Sequence, residues 1–424
     1  MSHIIKTSPN RNKTILLISH NFSPEPTGIG KINGEMMHWL ANEGFKCTVI
    51  TTFPYYPHWE IQAPYKNRWF KREDINYPDS NGLITIYRCP FYIPSKPTGK
   101  KRMAQDFSYW VFMSWVAGMF VLTKKKFDLI ITIAPPVHLG YLGLLIKNKM
   151  GGKLIYHIQD MQIESAQKLD MISSKMILEY AYKIEKKLLM EADYVSCISP
   201  GMIAKIKTKV DRDVIYFPNW VDITAFYPVN ARSLLKAKWG YQNDDVVFLY
   251  SGAIGEKQGL ESIILSAEEL KDDTKIKFII CGTGPYKHKL MLMAKEKNLK
   301  NLEFLPVQDR EIFNEFLNMA DYHLILQKGS VSDLGMPSKL ATILAVGGVS
   351  IATTLPGTSL HNLIHGHNVG YAVEPDNHHL LSKLIVNLKT LDCYEQKRAN
   401  ARNYATQYLN IDNILKDLLV NVFN

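Results

Sequence analysis

Two stretches of this 424-residue chain set lysine among glycines in a way that suits holding an anion. The first, Thr27-Gly28-Ile29-Gly30-Lys31, follows the apolar run Thr14–Ser19 and leads into a helix carrying Ile32, Met36 and Leu40. The second, Ser251-Gly252-Ala253-Ile254-Gly255-Glu256-Lys257-Gln258-Gly259, follows Val246–Tyr250 and leads into a helix from Leu260. A strand delivered through glycines into a helix start aims backbone N–H groups at open space, where a phosphate docks. Gly28, Gly30 and Gly252 fit that task because glycine accepts positive φ and close backbone approach. Two other strand ends carry candidate groups: Lys277–Cys281 runs into Gly282-Thr283-Gly284, and Lys153–His157 runs into Ile158-Gln159-Asp160.

The elements that must position these groups alternate. Apolar runs at Lys46–Thr52, Phe127–Ile133, Tyr194–Ile198, Leu302–Leu305, Tyr322–Leu326 and Val349–Thr353 read as strands. Helical patterns separate them, including Ile172–Met190, so the fold class is α/β with a parallel sheet in each half. The length predicts two doubly wound, Rossmann-like domains, 1–209 and 210–403, with a phosphate-bearing ligand in the cleft between them. A terminal helix, about 404–424, is expected to brace the first domain.

Several function classes fall away. The first loop has Asn33 where the dinucleotide fingerprint needs a third glycine, and Thr51-Thr52-Phe53-Pro54 offers no acid for a ribose. A Walker A loop is absent. Five scattered cysteines without CxxC spacing, and no secretory signal at the start, read as reduced thiols in the cytoplasm. The string Asp211-Arg212-Asp213 lies at the expected linker, and His361, His365, His367, His378 and His379 lack a neighbouring acid or cysteine at zinc spacing. No metal is expected.

Charge is uneven. Residues 1–210 carry 28 Lys+Arg against 16 Asp+Glu, whereas residues 211–424 carry 22 against 24. The basic half calls for an anionic partner, and no nucleic-acid module accompanies it. Phe107–Thr123 holds no charge over 17 residues, with Lys100-Lys101-Arg102 before it and Lys124-Lys125-Lys126 after it. As a helix it spans about 25 Å, short of the roughly 30 Å hydrocarbon core. It reads as a core helix or as a helix lying against an anionic membrane. The aromatic loop Pro54–Trp59 reads as a lipid contact or as ordinary packing.

The segments His20–Lys31, Pro218–Asp222, Gly255–Glu261, Pro337-Ser338-Lys339-Leu340 and Leu344–Gly348 resemble a family 4, GT-B glycosyltransferase. Within that family the chain is similar to the branch from bacterial colanic acid and O-antigen clusters, some of which are L-fucose or L-fucosamine transferases. The resemblance implies a retaining hexosyltransferase that needs no cofactor or metal. It would take a UDP- or GDP-sugar and a polyprenyl-diphosphate-linked glycan at the cytoplasmic face of the inner membrane. It implies that Lys257 neutralises the leaving diphosphate; the family pairs an arginine with that lysine and this loop has Glu256 instead, so Lys257 acts as a single cation or with help from Lys339, while the base lies near the main chain of Leu305. Asp333 and the amides of Leu334, Gly335 and Met336 would face the donor sugar. Thr342 takes the place of a ribose-binding glutamate. His157 and Asp160 would position the acceptor or the developing positive charge. A nucleotide-sugar 2-epimerase shares the fold, and a non-catalytic scaffold that binds nucleotide or membrane is the reading from another class.

Overall fold

Thr14–Ile18 (β1) is almost wholly apolar and its last four residues are buried, as a central parallel strand covered on both faces must be. The computed structural model describes residues 13–26, 28–95, 99–168, 174–388 and 393–423. Contacts divide the chain into two compact units, Met1–Phe217 with Leu418–Asn424, and Pro218–Asp417.

In the first unit β1 is joined by Lys46–Thr52 (β2), Lys71–Tyr77 (β3), Gly82–Cys89 (β4), Leu129–Ala134 (β5), Lys153–Ile158 (β6), Tyr194–Cys197 (β7) and Ile215–Tyr216 (β8). Their order across the sheet is β3-β4-β2-β1-β5-β6-β7-β8. All pairings are parallel except β3 with β4. The antiparallel edge departs from the fully parallel expectation. Lys71-Arg72-Glu73-Asp74-Ile75-Asn76-Tyr77 has no apolar run, and an edge strand open to water needs none.

The second unit is built on Val246–Ser251 (β9), Ile276–Cys281 (β10), Leu302–Leu305 (β11), Tyr322–Ile325 (β12), Val349–Thr353 (β13) and Gly370–Val373 (β14). The order is β11-β10-β9-β12-β13-β14, parallel throughout. Helices cover the faces over cores that include Phe248, Ile263 and Ile280 on one side and Val247, Leu344 and Ala401 on the other.

Two helices of the first unit flank the carboxyl end of β1. Gly28–Asn42 (α1) buries Ile32, Met36, Met37 and Leu40 against the first sheet. Gly99–Leu122 (α2) has two unlike sides. Tyr109, Met113, Val116, Ala117 and Phe120 are buried, while Met103, Phe107, Trp115, Met119 and Leu122 stand in solvent. The core-helix reading therefore describes one side of this run, and the other side is apolar and exposed. Among the described residues no helix is long and apolar enough to cross a membrane.

The expected helix from Ile172 is Lys175–Glu191, and Ile172 itself lies outside the described residues. The expected terminal helix is two, Tyr394–Tyr408 and Ile411–Phe423. The end of the second sits in the first unit: Lys153 Nζ donates to Val422 O at 2.6 Å, and the Phe423 ring lies 6.2 Å from that of Phe45.

Candidate functional site

Open α/β sheets bind ligands beyond the carboxyl ends of their strands, where the strand order reverses direction. In the second unit that switch falls between β9 and β12. The loop Ser251–Gly259 leaves β9 there, and Leu326-Gln327-Lys328 leaves β12. Lys328 N donates to Lys257 O at 3.0 Å, which joins the two loops. Lys257 is exposed on a single 3-10 turn, Glu256–Gln258, and Gln258 Oε1 accepts from Gly255 N at 3.1 Å to hold that turn. Glu256 pairs with Lys328 at 3.6 Å.

The glycines here act differently from the sequence expectation. Gly252 N donates to Cys281 O and Gly282 N donates to Leu305 O, so neither amide is left for a phosphate. A Cβ on Gly282 would stand 1.9 Å from Gly252 O, and both residues hold φ +146°. These glycines let two strand ends meet. The Leu305 carbonyl also accepts from Lys287 Nζ at 3.0 Å, which makes it a junction of the same corner.

Asp333, at φ +59°, accepts from Ser359 N at 2.8 Å and so holds the start of the helix Ser359–Gly366. Leu334 is buried, and its amide donates to Val331 O. The amides of Gly335 and Met336 donate to no described partner, which leaves them as the main-chain donors of this loop. Lys339 begins the helix Lys339–Ala345, and Thr342 lies one turn later. Lys339 Nζ stands 3.2 Å from the Tyr250 ring centre.

In the first unit the switch falls between β1 and β5. There His20, Tyr109 and His138 stack: His20 to Tyr109 at 5.5 Å and Tyr109 to His138 at 6.1 Å. Tyr109 Oη donates to Asp106 Oδ1 at 3.0 Å. Burial pushes the Asp106 carboxyl up to about 6 and both imidazoles down to about 4, so the two histidines are neutral near pH 7. Nδ1 of His20 and Nε2 of His138 are buried without a hydrogen-bond partner.

Beside the stack, Glu25 accepts from Tyr55 N at 3.1 Å, Tyr56 N at 3.0 Å and Asn21 Nδ2 at 2.8 Å. Burial nevertheless raises it to about 7. Gly30 is the glycine that admits it: a Cβ there would stand 2.2 Å from Glu25 Oε2. Asn33, where the fingerprint glycine is missing, ties α1 to the end of β1 through Ser19 Oγ at 2.8 Å and Asn21 O at 3.0 Å. Gly28, at φ +64°, starts α1 next to the Tyr56 ring.

Glu25 yields a pH prediction. A carboxyl raised from 4.5 to about 7 by folding stabilises the fold fully below pH 4.5. That contribution is lost as pH rises to 7. Glu25→Gln should therefore flatten the fall in stability between pH 5 and 8, by about 3 kcal/mol in urea unfolding. Identical pH slopes for both proteins would show that Glu25 is not the titrating group.

The model of the family described as glycosyl transferases group 1 matches residues 231–408, which hold the loops that follow β9 and β12. The chain is 34% identical over 413 residues, 96% of itself and 98% of the relative, to the Escherichia coli (strain K12) protein named "Putative colanic acid biosynthesis glycosyl transferase WcaI". This chain is a group 1 glycosyltransferase. Its fold matches sucrose-phosphate synthase from Thermosynechococcus elongatus at a TM-score of 0.72 and 16% identity, covering 97% of this chain and 99% of that one. It also matches Anabaena HepE in complex with UDP at 0.67 and 13%, with the same coverage. These likenesses show the GT-B fold.

Within this glycosyltransferase the residues expected to do chemistry divide. Lys257, Gly335, Met336 and Lys339 lie on the loops and helix start that follow β9 and β12. His157, by contrast, is buried within β6; its Nδ1 meets Ser196 Oγ at 2.9 Å, its ring edges Phe217 at 4.8 Å, and burial lowers it to about 3. That environment suits a strut rather than a proton carrier. Asp160 stands just past β6 and accepts from Ser165 Oγ at 3.3 Å. Its neighbour Gln162 hydrogen-bonds Asp106, which ties this loop to the histidine stack. Glu25, Asp106, Tyr109 and His138 went unread in the sequence because the sheet order alone brings them together. The signal available was His20 ending one strand and His138 following another.

Metal-ligating types converge at one place among the described residues, where ligand atoms of Glu269, His378 and His379 lie within 4.8 Å of one another. Both histidines pair with the Glu269 carboxylate.

Proposed function

We propose that this glycosyltransferase moves a hexose from a UDP- or GDP-sugar to a polyprenyl-diphosphate-linked saccharide in surface-polysaccharide synthesis. The sugar class favoured by the sequence resemblance is L-fucose or N-acetyl-L-fucosamine. The observation that carries the reading is the full-length likeness to a protein named for colanic acid biosynthesis, joined to a lysine-bearing glycine loop at a sheet switch point. Anabaena HepE, with the same fold, is described in complex with UDP.

The chemistry follows from what the loops offer. The bond from the anomeric carbon to the phosphate oxygen breaks, and negative charge grows on the departing diphosphate. In this reading the exposed Lys257 meets that charge. The acceptor hydroxyl forms the new bond on the same face, and its proton passes to the leaving phosphate, which gives retention. On the acceptor side, the neutral histidines and Asp106 supply hydrogen-bonding groups.

Helix α2 supports a lipid-linked acceptor. Asp106 and Tyr109 of this helix join the histidine stack, and the next residue, Phe107, begins the exposed apolar stripe Phe107, Trp115, Met119, Leu122. Arg102 lies at one end of the stripe, with Lys124 and Lys126 exposed at the other. A helix that completes the acceptor edge with one side and offers aromatics to headgroups with the other suits a membrane-held substrate. Phosphatidylglycerol vesicles should carry the protein upward in flotation, phosphatidylcholine vesicles much less. Trp115→Ser should weaken binding at least tenfold, about 1.4 kcal/mol. Equal flotation of both proteins would place the membrane contact elsewhere.

The reaction itself is tested by incubating the protein with radiolabelled UDP- and GDP-sugars and a polyprenyl-linked lipid extract. Label entering the lipid fraction from one donor is expected. Label returning only as an epimerised sugar nucleotide would replace the transferase reading with the epimerase one.

A further inference from the structure

Two neighbouring histidines and an acid from another helix share one point on the surface of the second unit, and the transfer chemistry gives them no part. Glu269 ends the helix Glu261–Glu269, and His378 and His379 open the helix His378–Asn387. The nearest acid in sequence, Asp376, is committed to Gly329 N at 3.0 Å, so the carboxylate comes instead from far upstream through the packing of the two helices. Nε2 of His378 stands 3.3 Å from Glu269 Oε1, and Nδ1 of His379 meets the same oxygen. The three ligand atoms lie within 4.8 Å of one another. Consecutive residues of a helix point about 100° apart, so side chains at i and i+1 do not ordinarily face each other. Here the two rings lie 4.0 Å apart, centre to centre, and each turns one nitrogen to the carboxylate.

The groups that would hold such a ligand set are also in place. Ser382, one turn into the second helix, hydrogen-bonds the Glu269 carboxylate, and Ser266 Oγ donates to the His378 carbonyl at 3.3 Å. Ligating carboxylates are oriented by outer hydrogen bonds of this kind. Beneath them Ile263, Ile264 and Ala267 of the first helix share one core with Leu381 and Ile385 of the second, which fixes the spacing of the two helices. His379 is 74% exposed, so an ion reaches the site from solution and the ring is free to turn onto it. Imidazole joined to carboxylate suits zinc, nickel or copper, whereas magnesium and calcium prefer oxygen alone. Zinc bonds of about 2.0–2.2 Å set ligand atoms roughly 3.3–3.5 Å apart in a tetrahedron, and the His378–Glu269 separation already has that value. We infer that Glu269, His378 and His379 form a zinc site, with water as the fourth ligand. Each neutral imidazole then carries its proton on the outer ring nitrogen, Nδ1 of His378 and Nε2 of His379, and offers the ion a lone pair. The bound ion ties the helix that follows the Lys257 loop to the helix that follows β14. It braces the second unit, takes no part in transfer, and does not depend on the donor-site reading.

The test is titration of the whole protein with zinc ions at neutral pH, in competition with a chromophoric chelator and after EDTA treatment. One ion per chain is expected, with micromolar affinity. Glu269→Gln and His379→Ala should each weaken binding at least tenfold, and both side chains reach solvent, so neither change should disturb folding. Zinc should also raise the thermal unfolding midpoint of the wild type and leave that of His379→Ala unmoved. His365→Ala is the control, because His361 and His365, one helical turn apart with rings 4.4 Å from centre to centre, are the competing pair. It should bind zinc as the wild type does. No zinc taken up by the wild type, or equal affinity in wild type, Glu269→Gln and His379→Ala, would overturn the site. Binding lost in His365→Ala alone would overturn it too and move the ion to the other pair.

Discussion

Lys257→Ala should lower sugar transfer by about 10²- to 10³-fold, the loss seen when one preorganised group facing developing charge is removed. The fold should be untouched. Lys257 is exposed on its turn, and its carbonyl, which accepts from Lys328 N, survives the substitution. Lys257→Arg should recover part of the rate, because a guanidinium also meets phosphate oxygens. The measurement is initial transfer rate at saturating donor, alongside thermal unfolding of each variant. Wild-type turnover in Lys257→Ala would remove this lysine from the chemistry.

The second large effect is on the scaffold of the same edge. Gly282→Ala puts a Cβ 1.9 Å from Gly252 O on a backbone held at φ +146°. The strained backbone and the forced separation of β9 and β10 together cost about 4 kcal/mol. The Gly252 loop must move, and Lys339, which packs on Gly252, loses its seat. Both urea stability and nucleotide affinity should therefore fall. Gly366→Ala is the matched control. A Cβ there meets nothing within 4 Å, and the residue ends a helix, so its stability should change little. Similar unfolding midpoints for Gly282→Ala and wild type would mean that the close approach at this corner relaxes freely.

Much of the architecture could be read in the chain because buried parallel strands are written as apolar runs. Val246–Tyr250, Lys277–Cys281 and Val349–Thr353 are examples, each stopped by a turn residue or followed by a polar break. The edge strand Lys71–Tyr77 could not be read that way, since only hydrogen bonding to β4 makes it a strand. Glycines were legible as corners but not as to what they face. Gly30 answers to Glu25 and Gly282 to Gly252 O, and neither partner is a sequence neighbour. His157 shows the same gap: its place at a strand end was visible, but Ser196 beside it became visible only through the pairing of β6 with β7. Asp106 and His138 reach the end of β1 from an aromatic helix and from the turn just after β5. No spacing rule records that convergence.

Saturation binding of UDP, GDP and ADP by calorimetry tests most directly whether the second unit holds a sugar nucleotide. Micromolar binding of UDP or GDP is expected, weakened at least tenfold, about 1.4 kcal/mol, in Lys257→Ala. Absence of binding by all three would contradict a sugar-nucleotide site on the second unit and bring a non-catalytic role forward.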